Sequence, residues 1–457
     1  MNCDEREESL EREESLEREE SLEREESHEF ESQQTEARIQ TLVAGIDEMV
    51  AVQLCAIIQH ARFKQLESLW RGLLYLLEVH PVLTMVKIRV LDMSWGEVSD
   101  DLNLSNQLHS SFLFRVVNQQ ELNTLGGEPF GLLLVDRPVS IELDEVSGHD
   151  DLYTLQQLAE LGQESLCPVV MPLAQDFIGT DDPDVWSDPE RVLRILESSD
   201  FSGWQRLRQM GVSRFLGLTL PEVLLRTPWR QCYTGLLFDE YAVYGMGSDH
   251  LWGNSAFAFA ANVIQEFIRI RWFGFLRVSG EWGSAVVKAR DNYPEAARLR
   301  FTDSLEEFYS NQGFIPLATC YLGHELAYFN NRSVHKPARD TDDAHIINML
   351  QTTLIGCRFG HYLKTLIREH IGSYLDAPAC QRDLNEWLQS YTSNVDYGDD
   401  SVLSRYPLKK SRVTVRGNES LGTFHCEVEL QPQYQFDVIN TSLFLKTDAS
   451  ELAEAAI

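Results

Sequence analysis

From about Ala37 onward, apolar positions recur at steps of three and four. In ARIQTLVAGIDEMVAVQLCAII, Ile39, Leu42, Ile46 and Met49 mark one helical face, with Val43, Val50 and Ile57 running beside it. A second helix is expected over about Phe63 to His80, so the two form a helical hairpin. The pattern then changes to period two. In TMVKIRVLDMSW, Val86, Ile88 and Val90 alternate with Lys87 and Arg89, which predicts a strand with one wet face. FGLLLVD (130–136) and PVVMPL (168–173) are short unbroken apolar runs of buried-strand type, separated by a helical pattern at 151–163. Strand, helix and strand in that order imply a parallel pair with a crossover helix. Helices over about 189–198 and 254–272 follow. The stretch from Arg405 to Asp437 alternates again, with Gly417-Asn418 as the expected turn. The expected fold class is α/β (α+β): N-terminal helices, a mixed body with a parallel βαβ unit, and a C-terminal β-rich module.

Before Ala37 the chain is of another kind. The unit EREESL repeats from Glu5 to Ser27. Six residues advance a helix by about 240° beyond whole turns, so Leu10, Leu16 and Leu22 point three ways and form no coiled-coil seam. Glu8–Arg12, Glu14–Arg18 and Glu20–Arg24 are favourable i,i+4 pairs, each contributing only about 0.2–0.5 kcal/mol. Between Asp4 and Glu31, fifteen acids face four arginines, a net charge of −11. The expectation is a solvated acidic tail, the alternative a docking tail for a basic partner.

The whole chain of 457 residues has a net charge of −32, so the part beyond the tail is still near −21. That balance argues against nucleic acid and against an anionic membrane surface. Eight scattered cysteines with no CxxC suit a reduced cytosol. No basic segment leads an apolar core near Met1, and no apolar run nears the roughly 18 residues of a membrane span; the expectation is a cytoplasmic protein with no membrane insertion.

Catalytic templates fail in turn. There is no Gly-Lys dipeptide for a P-loop, GNSAF (253–257) lacks the last glycine of a nucleophile elbow, and His324-Glu325 has no second histidine four residues on. His149-Asp150-Asp151 reads as a helix cap before a metal site. One helix carries more. In CRFGHYLKTLIREHIGS, with Arg358 at the wheel's origin, His361, Lys364 and Arg368 fall between about 240° and 300°, opposite Phe359, Leu363, Leu366 and Ile367. This basic stripe is either a solvated face or a docking face for an acidic surface. A second basic knot, Lys409, Lys410, Arg412 and Arg416, rides on an expected strand: either a blocked edge, or one completed by another chain's strand.

In chain order, RFKQLESLWRGLLYLL, RFLGLTLPEVLLRTPW, LWGNSAFAFA, NQGFIPLA, SVHKPARDTDDA, CRFGHYLKTLIREHIGS and SRYPLKKSRVTV resemble the large subunit of the type VI secretion contractile sheath, the TssC/VipB-type family. The resemblance covers about Ile39 to Leu445. It implies a structural, non-enzymatic chain without cofactors or metals in the bacterial cytoplasm. Such a chain pairs with a small sheath subunit and polymerises around an inner tube protein from a baseplate; contraction propels the tube, and an AAA+ ATPase recycles the sheath. It further implies that Val413, Val415, Val428 and Leu430, with Arg412 beside them, lie in or next to an interchain sheet. The helix of Arg358, His361, Lys364 and Arg368 would lie toward the tube. Trp70 and Arg71 serve either core packing or an intersubunit contact.

The expected divisions are a tail (1–37), a helical linker (38–80), an outer α/β domain (81–355) and an inner domain with the C-terminal strands (356–457). Departures stand out: the hexad tail replaces the apolar helix that the ATPase grips in relatives, and FGLLLVDRPVSI lacks the usual Gly-Asp-Tyr continuation. Other readings are a non-contracting paralogue acting as regulator or cap, and an α/β enzyme using His324, Glu325 and His361.

Overall fold

The computed structural model describes residues 33–78, 85–104, 108–141, 150–233, 236–240, 250–273, 276, 297–319, 326–339, 341–369, 377–393, 406–418, 423–432 and 443–448. The hexad repeat, His324 and Glu325 lie outside these residues. The chain divides into two units: Met1–Glu67 with Arg226–Leu251, and Ser68–Leu225 with Trp252–Ile457.

The first unit holds helix α1 (Gln33–Ile58), the start of helix α2 (Ala61–Glu78), and an antiparallel hairpin of Arg230–Tyr233 and Leu236–Asp239. Its apolar core is small: Ala51 and Cys55 near the end of α1 pack on Phe238, with Leu54, Ile58 and Trp229 around them. Beside it sits a buried ionic trio. Arg226 pairs with Glu67 and with Glu240, each at 2.8 Å. Glu240 also accepts from the Trp229 backbone N–H at 2.8 Å and from Gln59. The guanidinium further lies 5.5 Å over the Trp229 ring. With so little apolar area, fully paired charges define this unit's geometry.

In the second unit, β1 (Leu133–Leu134), helix α3 (Asp151–Ser165) and β2 (Val169–Pro172) form the expected parallel βαβ. Asp150 caps α3 by accepting from the Leu152 N–H at 2.9 Å, the role its sequence position implied. β3 (Leu216–Leu220) and β4 (Ile315–Pro316) extend the sheet in the order β1-β2-β3-β4, all parallel. Being covered on both faces, its central strands are buried at every position rather than at alternate ones. On one side, Trp204 stacks on Phe314 at 5.4 Å in a core with Phe177 and Leu218. The other core collects Val170 and Ile315 from the sheet, Phe259 from helix α4 (Ala256–Ile270), and Leu354 and Phe359 from helix α5 (Leu350–Glu369). It also takes Leu384 and Leu388 from helix α6 (Ala377–Gln389). Gly72 is the point where α2 meets α4: a Cβ there would come within 2.5 Å of the Phe257 ring.

The C-terminal sheet has the order β5 (Leu408–Asn418), β6 (Thr423–Pro432), β7 (Leu443–Asp448), all antiparallel. Val413, Val428 and Leu430 belong to the same core as the parallel sheet. The expected division at 355/356 therefore falls inside α5, one continuous helix whose residues pack on both sheets.

Three expectations need correction. Gly417 and Asn418 are not a turn: they pair with Phe424 and Thr423 as the last rungs of β5, and the connection is 419–422. The alternating stretch 86–92 is extended but belongs to no sheet among the described residues. Side-chain ion pairs of Lys87 with Glu128, and of Arg89 with Glu121 and Glu128, hold it instead of a ladder. Finally, α1 is long and apolar enough to cross a membrane, at 26 residues with a mean hydropathy of 1.8 over its most apolar 18-residue window. Reading contiguous runs missed it because Asp47 and Glu48 interrupt a helix that is apolar on either side of them.

Replacing Arg226 with Leu strands the buried Glu240 carboxylate without its cation. The expected loss is about 3–5 kcal/mol, read as a lower urea midpoint for the first unit.

Candidate partner-binding surfaces

Surfaces awaiting another chain are recognisable because apolar side chains stand in water where the fold has the means to bury them. Along α1, Ile39, Leu42, Val43, Ile46 and Met49 are all exposed, Leu42 by 67%. Among the described residues, only the far end of the helix is anchored, through Ala51 and Cys55. Burial of each such side chain is worth about 1.5–3 kcal/mol, so five of them form a strong docking ridge.

In the second unit, α2 buries Gly72 and Leu76 and turns Trp70, Leu74 and Leu77 outward. Trp70 is 63% exposed and so is not a core residue of this chain; Arg71 beside it is half-buried. The extended stretch 86–92 likewise leaves Val90 and Leu91 in solvent. No backbone hydrogen bond joins it to another described segment.

The basic stripe of α5 is largely taken up inside the chain. Arg368 donates to the Leu122 and Thr124 carbonyls at 2.6 and 2.8 Å, capping the π-helix Arg115–Leu122. Arg358 lies over the rings of Tyr362 and Phe267, 4.6 and 5.3 Å from their centroids, and donates to the Tyr362 hydroxyl at 2.7 Å. Lys364 is half-buried.

His361 is the clear correction, because it is only 4% exposed and faces the end of α3. Its Nε2 lies 3.4 Å from the Ser165 carbonyl, which can only accept, so Nε2 carries the proton. Burial, reinforced by the charges of Arg358 and Lys364, holds its pKa down to about 4 against the opposing pull of the Ser165 and Leu166 carbonyls. A helical wheel cannot show this. The signal was Gly360, which lets Leu166 approach until a Cβ would lie 2.7 Å away.

In the C-terminal sheet, Val413, Val415, Val428 and Leu430 all point into the core. Lys410, Arg412 and Arg416 alternate with them and face solvent. The basic knot is interleaved with acids of β6: Arg412 stands opposite Glu429, and Arg416 lies 3.9 Å from Glu427. Among the described residues no group of three or more His, Cys, Asp or Glu side chains could hold a metal ion. The five cysteines described there are buried free thiols.

A chain with one bare apolar helix, an outward tryptophan and an unpaired extended segment is a part of an assembly. Comparison with known proteins gives the kind. Residues 40–335 match the VipB family described as EvpB/VC_A0108, tail sheath N-terminal domain. Residues 339–449 match its companion, the tail sheath gpW/gp25-like domain. The chain is 27% identical over 443 residues to the type VI secretion system sheath protein TssC1 of Pseudomonas aeruginosa, covering 91% of this chain and 87% of that one. Among solved structures it is similar to the contracted PVC sheath complex of an extracellular contractile injection system. That match has a TM-score of 0.37 at 10% identity, over 70% of this chain and 71% of the other. A sheath tail protein of Desulfitobacterium hafniense gives 0.31 at 9%, over 66% and 60%. The assignment rests on the sequence matches: the chain belongs to the VipB tail sheath family and is a contractile-sheath subunit of the TssC/VipB type.

His361 sets a pH dependence. Its folded pKa lies below the unfolded value of about 6.5, so the unfolded chain binds the extra proton between those limits. Stability is full above pH 6.5 and falls by up to about 3 kcal/mol as pH drops toward 4. His361→Gln should flatten that part of a urea-midpoint profile taken from pH 7 to pH 4.5.

Proposed function

We propose that this chain is the large subunit of a two-chain type VI secretion sheath protomer in the bacterial cytoplasm. A small sheath subunit covers the apolar ridge of α1. Copies then polymerise around an inner tube protein from a baseplate, and the cylinder contracts to drive the tube outward. The observation that carries this is the bare ridge Ile39–Met49 on a helix that, among the described residues, is anchored only at its end. The ridge suits a protein partner better than a lipid bilayer. Asp47 and Glu48 fall near the middle of α1, and a single charged side chain at a bilayer centre costs about 2.5–3.5 kcal/mol on insertion scales. Burial of Cys55 against Phe238 also fastens the end of the helix to the hairpin of its own unit.

The C-terminal strands supply the contacts that persist through contraction. Main-chain pairing between copies tolerates rigid-body rotation of the subunits it links, since its hydrogen bonds do not depend on which side chains face each other. Val413, Val415, Val428 and Leu430 serve this by packing the sheet from within, leaving the β7 edge and Arg412 for neighbours. For the α5 cations, a tube-facing role reduces to Arg358 and Lys364, with Arg368 holding the helix in place. Recognition by a recycling AAA+ ATPase would need a grip other than the dispersed leucines of the hexad repeat.

Leu42→Asp combined with Ile46→Asp should cut co-purification with the small sheath subunit at least tenfold while leaving the far-UV circular dichroism of the chain unchanged. Full recovery of the complex would overturn the proposed role of α1. Trp70→Ala should weaken sheath assembly by about 2 kcal/mol or more with no loss of the chain's own stability, read as a raised critical concentration for tubule formation.

A further inference from the structure

In a chain carrying 71 acidic against 39 basic side chains, two stretches of the second unit hold no acid at all. Residues 201–221 contain Arg206, Arg208 and Arg214, and residues 326–339 contain Arg332, His335, Lys336 and Arg339. The fold stitches the two together. Lys336 N–H donates to the Arg208 carbonyl at 2.7 Å, and Val334 N–H to the Leu216 carbonyl at 3.0 Å, where β3 begins. His335 Nδ1 lies 3.0 Å from the Met210 carbonyl, which can only accept, so Nδ1 carries a proton.

Arg208 is buried in this seam, and among the described residues no carboxylate meets it. Its guanidinium donates to the carbonyls of Val334 and Asn311 at 3.2 and 2.8 Å and to Gln312 Oε1 at 3.2 Å, all neutral oxygens. Gly313, at φ +87°, leaves room for it: a Cβ there would lie 2.8 Å from the Val334 carbonyl oxygen and 3.1 Å from Arg208 Nε. Burial pulls the Arg208 pKa down to about 10; His335 is held below its usual range by burial and then by the charge of Arg214. Arg214 and Lys336 are exposed, and neither pairs with a described carboxylate. Elsewhere Arg89, Arg226, Arg269 and Arg298 each meet one.

Cations left unmatched by a protein of net charge −32 form a local attractor for an anion from outside the described fold. The densest acidic run of the chain is the hexad tail, −11 between Asp4 and Glu31, and every copy carries it. The rest of the protein, near −21, repels such a run, so a basic seam is where it can settle. An exposed ion pair is worth only about 0.2–1 kcal/mol, too little for one glutamate to hold. The repeat supplies the remainder: each six-residue unit presents the same three glutamates, so a slide of one unit restores the pairing, and equivalent registers add to the binding.

We propose that the seam of Arg214, His335 and Lys336 is the receptor for the acidic hexad tail of a neighbouring copy. The choice of a neighbour rests on the sheath reading above; the affinity of the seam for the tail does not. The tail is then an electrostatic strap between subunits. It holds two copies together yet gives way to movement between them, because one register is as good as the next.

The test uses the full chain with every tail glutamate replaced by glutamine, which frees the seam of its own tails. The probe is a fluorescent peptide of residues 5–27. Anisotropy should show saturable binding that weakens at least tenfold in Arg214→Glu combined with Lys336→Glu. It should weaken as much when the peptide's glutamates become glutamine, a change that leaves the folded protein untouched. Raising salt from about 0.1 M to about 1 M shortens the screening length from about 10 Å to about 3 Å and should abolish binding. No binding, or binding indifferent to these changes, would overturn the receptor. In sheath assembled from isotope-mixed wild-type copies, carbodiimide should couple tail glutamates of one copy to Lys336 of another. Coupling confined to single copies, or only to other lysines, would overturn the strap. If the wild-type chain forms no tubules with any small subunit, the sheath reading fails instead, and the peptide arm still reports the seam.

Discussion

Helix α5 is the constraint on which the second unit depends. Its Leu354 and Phe359 lie in one core with Val170 and Ile315 of the parallel sheet and with Val413 and Val428 of the C-terminal sheet. Trp272 stacks on Phe359 at 4.5 Å, and Tyr391 meets the same ring edge-on at 5.9 Å. A helix that lends its surface to two sheets cannot shift against one without disturbing the other, because close-packed interiors transmit strain. A pull on the C-terminal strands is therefore carried into the α/β body through aromatic packing, as a force-bearing subunit requires.

Against that rigid interior, the outward features share one property: each is a finished secondary structure lacking its usual cover. Among the described residues, the ridge on α1 lacks a second apolar surface, stretch 86–92 lacks a ladder, and Trp70 lacks a pocket. Contacts within the chain shape two of them beforehand. Ion pairs to Glu121 and Glu128 keep 86–92 extended, and Phe238 fixes the end of α1. A partner meeting such surfaces has less conformational entropy to remove than one meeting loose chain, which favours tight association from modest contact area.

Much of this was legible in the sequence, and the failures share a cause. Period 3.6 in 37–78 and unbroken apolar runs at 130–136 and 168–173 gave the helices and the parallel βαβ, because burial selects those patterns directly. The ordered family-like blocks gave the class of protein. What periodicity could not show is which polar face a tertiary neighbour later covers. His361 reads as one more cation of a wet stripe until Leu166 closes over Gly360. Arg368 reads as free until the carbonyls of Leu122 and Thr124 arrive from far along the chain. Gly417-Asn418 has the residue types of a tight turn, yet pairing in β5 continues through it. The buried trio of Arg226, Glu67 and Glu240 joins positions far apart in sequence and has no local signature.

The bare flank of α1 has a consequence for the cell's handling of this polypeptide. A subunit that carries an uncovered greasy helix from the moment it leaves the ribosome is a natural client for holdase chaperones and quality-control proteases until its companion arrives. Its abundance would then be set less by its own synthesis than by supply of the other chain, and surplus copies would be removed. Balanced stoichiometry in the finished lattice could follow from that clearance alone, without matched expression of the two proteins.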